Sequence, residues 1–390
     1  MPNHDPFRKK VEALRAENVG AAILRAVSVE GQANFRFVDQ VNAATALTNW
    51  RNSLPQYDLK STGEDSWQLL NCTNAQAGGC LAEGYTSEDT AEPAFSLWLE
   101  LVERCNLDCL FCYNPWRPAG SANSPLLSNA QLLEAISMLL SSLNIVYVTL
   151  AGGEPLMRQD LLQIIKHLSS WSMPIGMATN GRSATRYRLQ RYRAAGLTQI
   201  AVPVHSHEPD IHDRLTGAKS WHSAVRALAI AQELGYSVTM STVITRLNAI
   251  HVSHLCELVE LLALDHYVLN CFHAAGQGFL NNKTLMVSRL IFEHALNEAR
   301  NRLAPRTKVE IGAPPDQPAT RWNRINRVVL SPSGDLKFCV QSTCGVVNLA
   351  TDDKEAIAQV IALLNGNDHH ELISRIDSCT CYGSDCRGDA

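Results

Sequence analysis

The 390-residue chain has twelve cysteines. Three of them, Cys105, Cys109 and Cys112, fall in the short run CNLDCLFCY. Thiolates at spacings of four and three can do one of three things. They can hold a structural zinc, but that ion takes four ligands, usually as two close pairs. The nearest other cysteines, Cys80 and Cys256, are far off in sequence. Cys109 and Cys112 can form a Cys-x-x-Cys redox pair, which leaves Cys105 without a role. Or one short loop can wrap an iron–sulfur cluster and ligate three of its irons, leaving the fourth open to chelate a substrate or cofactor. The run by itself leaves the three open.

Other groups could join it. In TLAGGEPL, residues 149–156, Gly152 and Gly153 let backbone come close to a ligand, and Glu154 could grip an ammonium group. A tight strand-to-helix turn is the plainer alternative. ATNGR offers Asn180, which could face a cofactor or simply end a strand. VHSHEPDIHD carries His205, Ser206, His207 and His212. Three histidines so close raise zinc, but no ligand spacing emerges, and His212 reads as structural.

These residues need elements to position them. From Phe95 to about Leu303, apolar strand segments alternate with amphipathic helical ones. The strands are FSLWLELV, IVYVTLAG, PIGMATN, QIAVPVHS, SVTMSTVI and HYVLNCF; the helices include QLLEAISMLLSSL, DLLQIIKHLSSW and WHSAVRALAIAQELG. Near-continuous apolar strands between helices imply a parallel sheet covered by helices. Six units fall short of a closed eight-unit barrel and suit a partial, TIM-like (βα)6 one, with functional loops at the C-terminal strand ends. The cysteine run and GGEP both sit at such ends.

Residues 1–94 read as an α+β accessory domain ending in a small, polar linker, TNAQAGGCLAEGYTSEDTAEP. After Leu303 the alternation stops. RVVLSPSGDLKFCV reads as a hairpin, and residues 304–390 form a small module with five of the twelve cysteines.

A hydrophobic content of 46%, 18% charged residues and a net charge of −4 describe a soluble globular protein with no electrostatic case for nucleic acid. No apolar run is long enough for a membrane span, and the N-terminus lacks a secretion signal. Twelve cysteines without an export signal point to metal or redox use in the cytoplasm rather than to disulfides.

CxxxCxxC after the first strand followed by GGEP after the second resembles the radical S-adenosylmethionine superfamily, over about residues 95–303. The resemblance implies that Cys105, Cys109 and Cys112 ligate a 4Fe–4S cluster whose open iron chelates S-adenosylmethionine. Gly152, Gly153 and Glu154 would contact the methionyl amino group, and Tyr113 would lie near the adenine. Asn180 would face the cofactor, and His205 and Ser206 the ribose or substrate. The glycine-rich adenine motif of the family's fifth strand is not recognisable in SVTMSTVIT.

The C-terminal part resembles a SPASM or twitch extension, implying one auxiliary 4Fe–4S cluster on Cys339, Cys379, Cys381 and Cys386, with Cys344 competing as fourth ligand; structural zinc is the alternative. Cys72, Cys80, Cys256 and Cys271 are expected to be inert. The implied activity is reductive cleavage of S-adenosylmethionine and hydrogen abstraction from a peptide or amino-acid-derived substrate, giving a crosslink, thioether or dehydrogenation. A low-potential donor such as flavodoxin or ferredoxin would feed it. Two other readings remain: a sugar or amino-acid substrate of a natural-product pathway, or a non-catalytic iron–sulfur or zinc protein.

Overall fold

A computed structural model describes residues 93–114, 126–303, 307–313, 326–340, 345–366 and 369–372. Residues 1–92, with Cys72 and Cys80, and the tail with Cys344, Cys379, Cys381 and Cys386 lie outside them.

The chain enters on β1 (Phe95–Glu100) and crosses through α1 (Asn129–Ser142) to β2 (Ile145–Ala151). There follow α2 (Leu161–Ser169), β3 (Ile175–Ala178), α3 (Arg186–Ala194) and β4 (Gln199–Pro203). Two helices, α4 (Pro209–Thr216) and α5 (Trp221–Glu233), precede β5 (Ser237–Ile244), and α6 (Val252–Leu261) leads to β6 (His266–Cys271). Two short helices, α7 (Gln277–Leu280) and α8 (Asn282–Leu285), come before α9 (Arg289–Leu303) and β7 (Lys308–Ala313). The C-terminal part supplies β8 (Arg327–Leu330), β9 (Asp335–Lys337), β10 (Val347–Asn348) and α10 (Lys354–Asn365).

Among the described residues one sheet runs β10-β9-β8-β1-β2-β3-β4-β5-β6-β7. β8 through β7 in that order are all mutually parallel, and β9 and β10 turn back antiparallel. The six expected units are present, and the hairpin read in RVVLSPSGDLKFCV is β8–β9. The alternation does not stop at Leu303, however, because α9 and β7 make a seventh unit on the β6 edge. KVEIGA did not read as a strand because Lys308 and Glu310 interrupt its apolar pattern, and charges of this kind belong on an edge strand. β8 hydrogen-bonds directly to β1, so the C-terminal strands extend the sheet at its other edge.

Alternation along the strands gives the sheet two unlike faces. Phe95, Leu97 and Leu99 pack with Val148, Leu150, Met177, Val202 and the helices in the main apolar cluster. Ser96, Trp98 and Glu100 take the other face, beside Tyr147, Thr149 and Ala151 of β2. That face carries polar pairs. The Tyr147 hydroxyl donates to Gln199 Oε1 at 3.1 Å, and Lys337 Nζ on β9 donates to Glu100 Oε2 at 2.8 Å with both side chains buried.

The helices start where the sequence caps them. Ser128 and Gln131 form a reciprocal capping box at α1, Thr185 caps α3 and Asp353 caps α10. No described helix is long and apolar enough to cross a membrane.

Candidate active site

The loop after β1 carries Cys105, Cys109 and Cys112, all partly buried and none in a disulfide. It is short of regular structure, so its backbone groups must pair elsewhere. Cys112 N–H donates within the loop, to the Cys109 carbonyl at 3.2 Å. Asp108 and Leu110 N–H groups donate to the carbonyls of Thr216 and Leu215 at the end of α4, at 3.0 and 2.9 Å. On the other side the Cys112 carbonyl accepts from Gly278 N–H at 3.2 Å, and the Leu110 carbonyl from Asn281 Nδ2 at 3.0 Å. Elements from β4 and β6 therefore grip one loop.

Two glycines that the sequence did not single out make these grips possible. Gly217 ends α4 in the left-handed region (φ 70°), and a Cβ there would stand 2.4 Å from the Asp108 carbonyl oxygen. Gly276 (φ +52°) lies against the backbone of Cys112–Asn114 at about the same closeness, 2.6–2.7 Å. A glycine after a helix is legible as a cap, but its contact with a loop a hundred residues earlier is not.

At the end of β2 the GGE turn packs on the same loop. Gly153 and Glu154 N–H groups donate to the carbonyls of Val102 and Arg104 at 2.7 and 2.9 Å. A Cβ on Gly152 (φ +122°) would meet the Val102 carbonyl oxygen at 2.6 Å, and one on Gly153 the Arg104 carbonyl oxygen at 2.2 Å. The close approach inferred from these glycines is thus made by the cysteine loop's own backbone. Asn114 Nδ2 also donates to the Gly152 carbonyl at 3.1 Å.

Glu154 is buried, and its carboxylate already has three donors. Thr179 Oγ1 and Leu156 N–H donate to Oε1 at 2.6 and 3.0 Å, and Asn180 N–H to Oε2 at 2.8 Å. Burial pushes its ionisation upward, against those hydrogen bonds and the Arg188 guanidinium, which pull the other way. Each carboxylate oxygen accepts two bonds, so Oε2 can take one more donor.

The remaining strand-end residues divide. Asn180 Nδ2 donates to Asn106 Oδ1 at 2.7 Å and lies 3.7 Å from Cys105 Sγ, so it joins the cysteine loop. The His205 ring meets Phe111 of that loop edge-on at 4.4 Å between centroids. Its Nδ1 accepts from Val243 N–H at 3.3 Å, while its buried Nε2 has no hydrogen bond. Ser206 is fully buried and its hydroxyl is committed elsewhere, to His251 Nδ1 at 2.8 Å and the N–H of Glu208 at 2.9 Å. His212 is a satisfied core histidine. Its Nδ1 accepts from His205 N–H at 3.1 Å and its Nε2 meets Ser220 Oγ at 3.1 Å.

Tyr113 keeps part of its surface exposed, but its phenol is enclosed, and burial pushes its ionisation above the ordinary range. Glu100, Cys112 and Cys339 add to that push, while Arg327 opposes it. Cys339, just after β9, is therefore within electrostatic reach of the cysteine loop, and it is the one described member of the expected auxiliary set. Glu100 is also pushed upward by burial despite its contact with Lys337. Cys256 and Cys271 are packed in the core, as expected of inert thiols.

The donor set suits an iron–sulfur cluster better than a hard cation. Three thiols share one loop that is held by backbone contacts at its two flanks and left partly open.

Comparison with known proteins agrees. Residues 99–262 match the family model of the Radical SAM superfamily. The PqqA peptide cyclase of Xanthomonas axonopodis pv. citri (strain 306) is 26% identical over 259 residues, which are 64% of this chain and 68% of that protein. Streptococcus suis SuiB bound to S-adenosylmethionine superposes with a TM-score of 0.56 at 12% identity, over 74% of this chain and 71% of that one. SuiB bound to its precursor peptide SuiA gives 0.56 at 11%, over 95% and 82%. The anSMEcpe structure with AdoMet and the Kp18Cys peptide gives 0.56 at 14%, over 74% and 87%. At such identities the solved structures speak for the fold alone. Residues 99–262 thus carry a Radical SAM domain, and the protein is an enzyme.

Proposed function

We propose that this radical S-adenosylmethionine enzyme modifies a peptide, oxidatively or by forming a new bond, with Cys105, Cys109 and Cys112 holding the catalytic 4Fe–4S cluster. The grip of four separate chain segments on the cysteine loop carries the reading. A loop gripped that way keeps three thiols at fixed separations, as a cluster with one open corner requires. Bound there, the cluster and S-adenosylmethionine would supply one-electron chemistry able to remove a hydrogen atom from a substrate carbon. The chain's own part is positioning. Glu154 Oε2, with one acceptor site left, would take the methionyl ammonium. Asn180, beside Cys105, would face the cofactor, and Tyr113 the adenine. His205, buried behind Phe111, would present its Nε2 as a donor to the ribose or substrate. Cys339 would join Cys379 and Cys381, with Cys386 or Cys344, in an auxiliary cluster fed by a low-potential electron donor.

A peptide substrate is supported by more than the PqqA peptide cyclase relationship. Next to the cysteine loop, Phe279 and Leu280 are 46% and 67% exposed, and Gly278 just before them bonds the Cys112 carbonyl. Exposed apolar side chains grouped at a catalytic mouth fit the side chains of a peptide better than a sugar.

The test is anaerobic reconstitution, reduction and assay of 5′-deoxyadenosine. Wild type should release it and Cys105→Ala should not; equal release by both would overturn the assignment of the loop. Leu280→Glu should leave cleavage without substrate intact and raise the KM for the peptide substrate. An unchanged KM would overturn the peptide surface.

A further inference from the structure

Away from the cysteine loop, the segment after β4 meets the start of α6. We propose that His207, Glu208 and His251 form a second metal site, for a divalent transition ion with zinc first, which ties the β4–α4 loop to the β5–α6 loop. One ligand atom from each of the three lies within 4.8 Å of the others. His207 Nδ1 and His251 Nδ1 are 3.2 Å apart. That contact fixes the two rings against each other and leaves His207 Nε2, on the other side of its ring, as the atom offered to the ion.

Hydrogen bonding alone leaves the cluster unsatisfied. Ser206 Oγ and His207 Nδ1 both crowd one nitrogen, His251 Nδ1, at 2.8 and 3.2 Å. His207 Nε2 is buried with no hydrogen bond, on a side chain 6% exposed, and the nearest carboxylate oxygen, Glu208 Oε1, is 3.8 Å away. A buried polar atom left in that state costs about 1–3 kcal/mol. An ion between His207 and Glu208 would satisfy it.

The supporting features of a metal site are present as well. Burial keeps both imidazoles uncharged, with lone pairs to offer. The Ser206 hydroxyl holds His251 at Nδ1, which leaves Nε2 as the nitrogen offered to the ion. The His254 ring stacks on His207 at 4.2 Å between centroids and holds its plane. Glu208 is 45% exposed, which gives the ion an entry route and lets the carboxylate swing in. Two nitrogens and an oxygen suit zinc or ferrous iron, not calcium or magnesium.

The site has a consequence for the active site. The same short loop carries His205, whose ring packs on Phe111 of the cysteine loop. Fixing the loop by a metal would fix that wall.

The test uses the full chain, cluster-loaded anaerobically, and zinc alone as probe. Calorimetric titration should show one tightly bound zinc per chain that the His207→Gln/His251→Gln variant lacks, with iron content equal in both. Glu208→Gln, a change at a half-exposed position that spares the core, should weaken zinc at least tenfold. Added zinc should raise the melting temperature of wild type and not of the double variant. If the double variant keeps the same zinc, the ion belongs to thiolates elsewhere and the proposal fails. It also fails if wild type takes up none at 100 µM.

Discussion

A Cβ placed on Gly153 would stand 2.2 Å from the Arg104 carbonyl oxygen, a backbone atom that cannot rotate away. Gly153→Ala must therefore push the cysteine loop off the end of β2, breaking the 2.7 Å bond from Gly153 N–H to Val102 as it goes. Overpacking of this kind costs about 1–3 kcal/mol. We expect a lower melting temperature and less iron after reconstitution, both measured against Gly235→Ala. At Gly235 a Cβ meets nothing within 4 Å, so that variant carries only the strain of a positive φ. Equal iron uptake by the two variants would show that the close packing does not position the thiols. His212 bears on acid stability. Its Nδ1 accepts a bond, and burial holds its pKa at about 4, below the ordinary 6.5. The folded chain then binds fewer protons here than the unfolded one, so stability rises with pH between those values and is lost as pH falls below 6.5. One such group is worth on the order of 3 kcal/mol. His212→Gln should flatten the pH dependence of unfolding by urea from pH 6.5 to 4, and an unchanged slope would place the sensitivity elsewhere. At this scale the sequence was legible where the residues are neighbours in the chain, as for Cys105, Cys109 and Cys112, which share one loop. It was illegible where the partner is distant, as for His207 with His251 or Gly217 with Asp108.

The elements were the most legible part, because strand and helix periods are local. The apolar runs ending β1, β2 and β5 and the amphipathic patterns of α1, α2 and α5 lie within a few residues of where they were read. What period cannot supply is which strands become neighbours. Lys337 sits on β9 and Glu100 on β1, 237 residues apart, yet their side chains meet at 2.8 Å inside the protein. In sequence each looks like an ordinary charge at a strand end. Burial raises the Glu100 ionisation, and Lys337 is what restrains that rise. Lys337→Met should cost about 3–5 kcal/mol, because it leaves a carboxylate buried without its cation. Adding Glu100→Gln should recover most of the loss, since the leftover charge is gone. The double-mutant cycle in urea measures the coupling, and strictly additive losses would mean the pair contributes nothing as a pair.

For the whole molecule, the question is whether the C-terminal segment is an appendage or a part of the barrel's core. Composition pointed to a break after Leu303, since the cysteines gather there and the strand–helix alternation fades. The hydrogen bonding runs the other way. β8 lies parallel on β1 over four residues, starting at Ser96↔Arg327, and the hairpin places Lys337 against Glu100. Val328, Leu330, Leu336, Phe338, Val347, Val360, Leu364 and Leu372 all belong to the same apolar cluster as Leu97 and Leu150. Each such side chain contributes about 1.5–3 kcal/mol by its burial. Eight of them together contribute about 12–24 kcal/mol before the entropy of ordering the segment, as large as the ~5–15 kcal/mol by which a folded protein outweighs its unfolded chain. Removal would also bare the β1 edge, a row of unpaired backbone groups ready to aggregate. A chain ending at residue 325 should therefore fail to give a cooperative thermal transition and should bind a hydrophobic dye, even though β1 to β7 and all three cysteines of the first loop remain. Supplying the missing segment in trans should restore the transition if the deletion acts through the lost core. A truncated chain that melts cooperatively within a few degrees of the full one would mean instead that β1 to β7 stand alone. The segment from β8 onward would then serve its cysteines and not the fold.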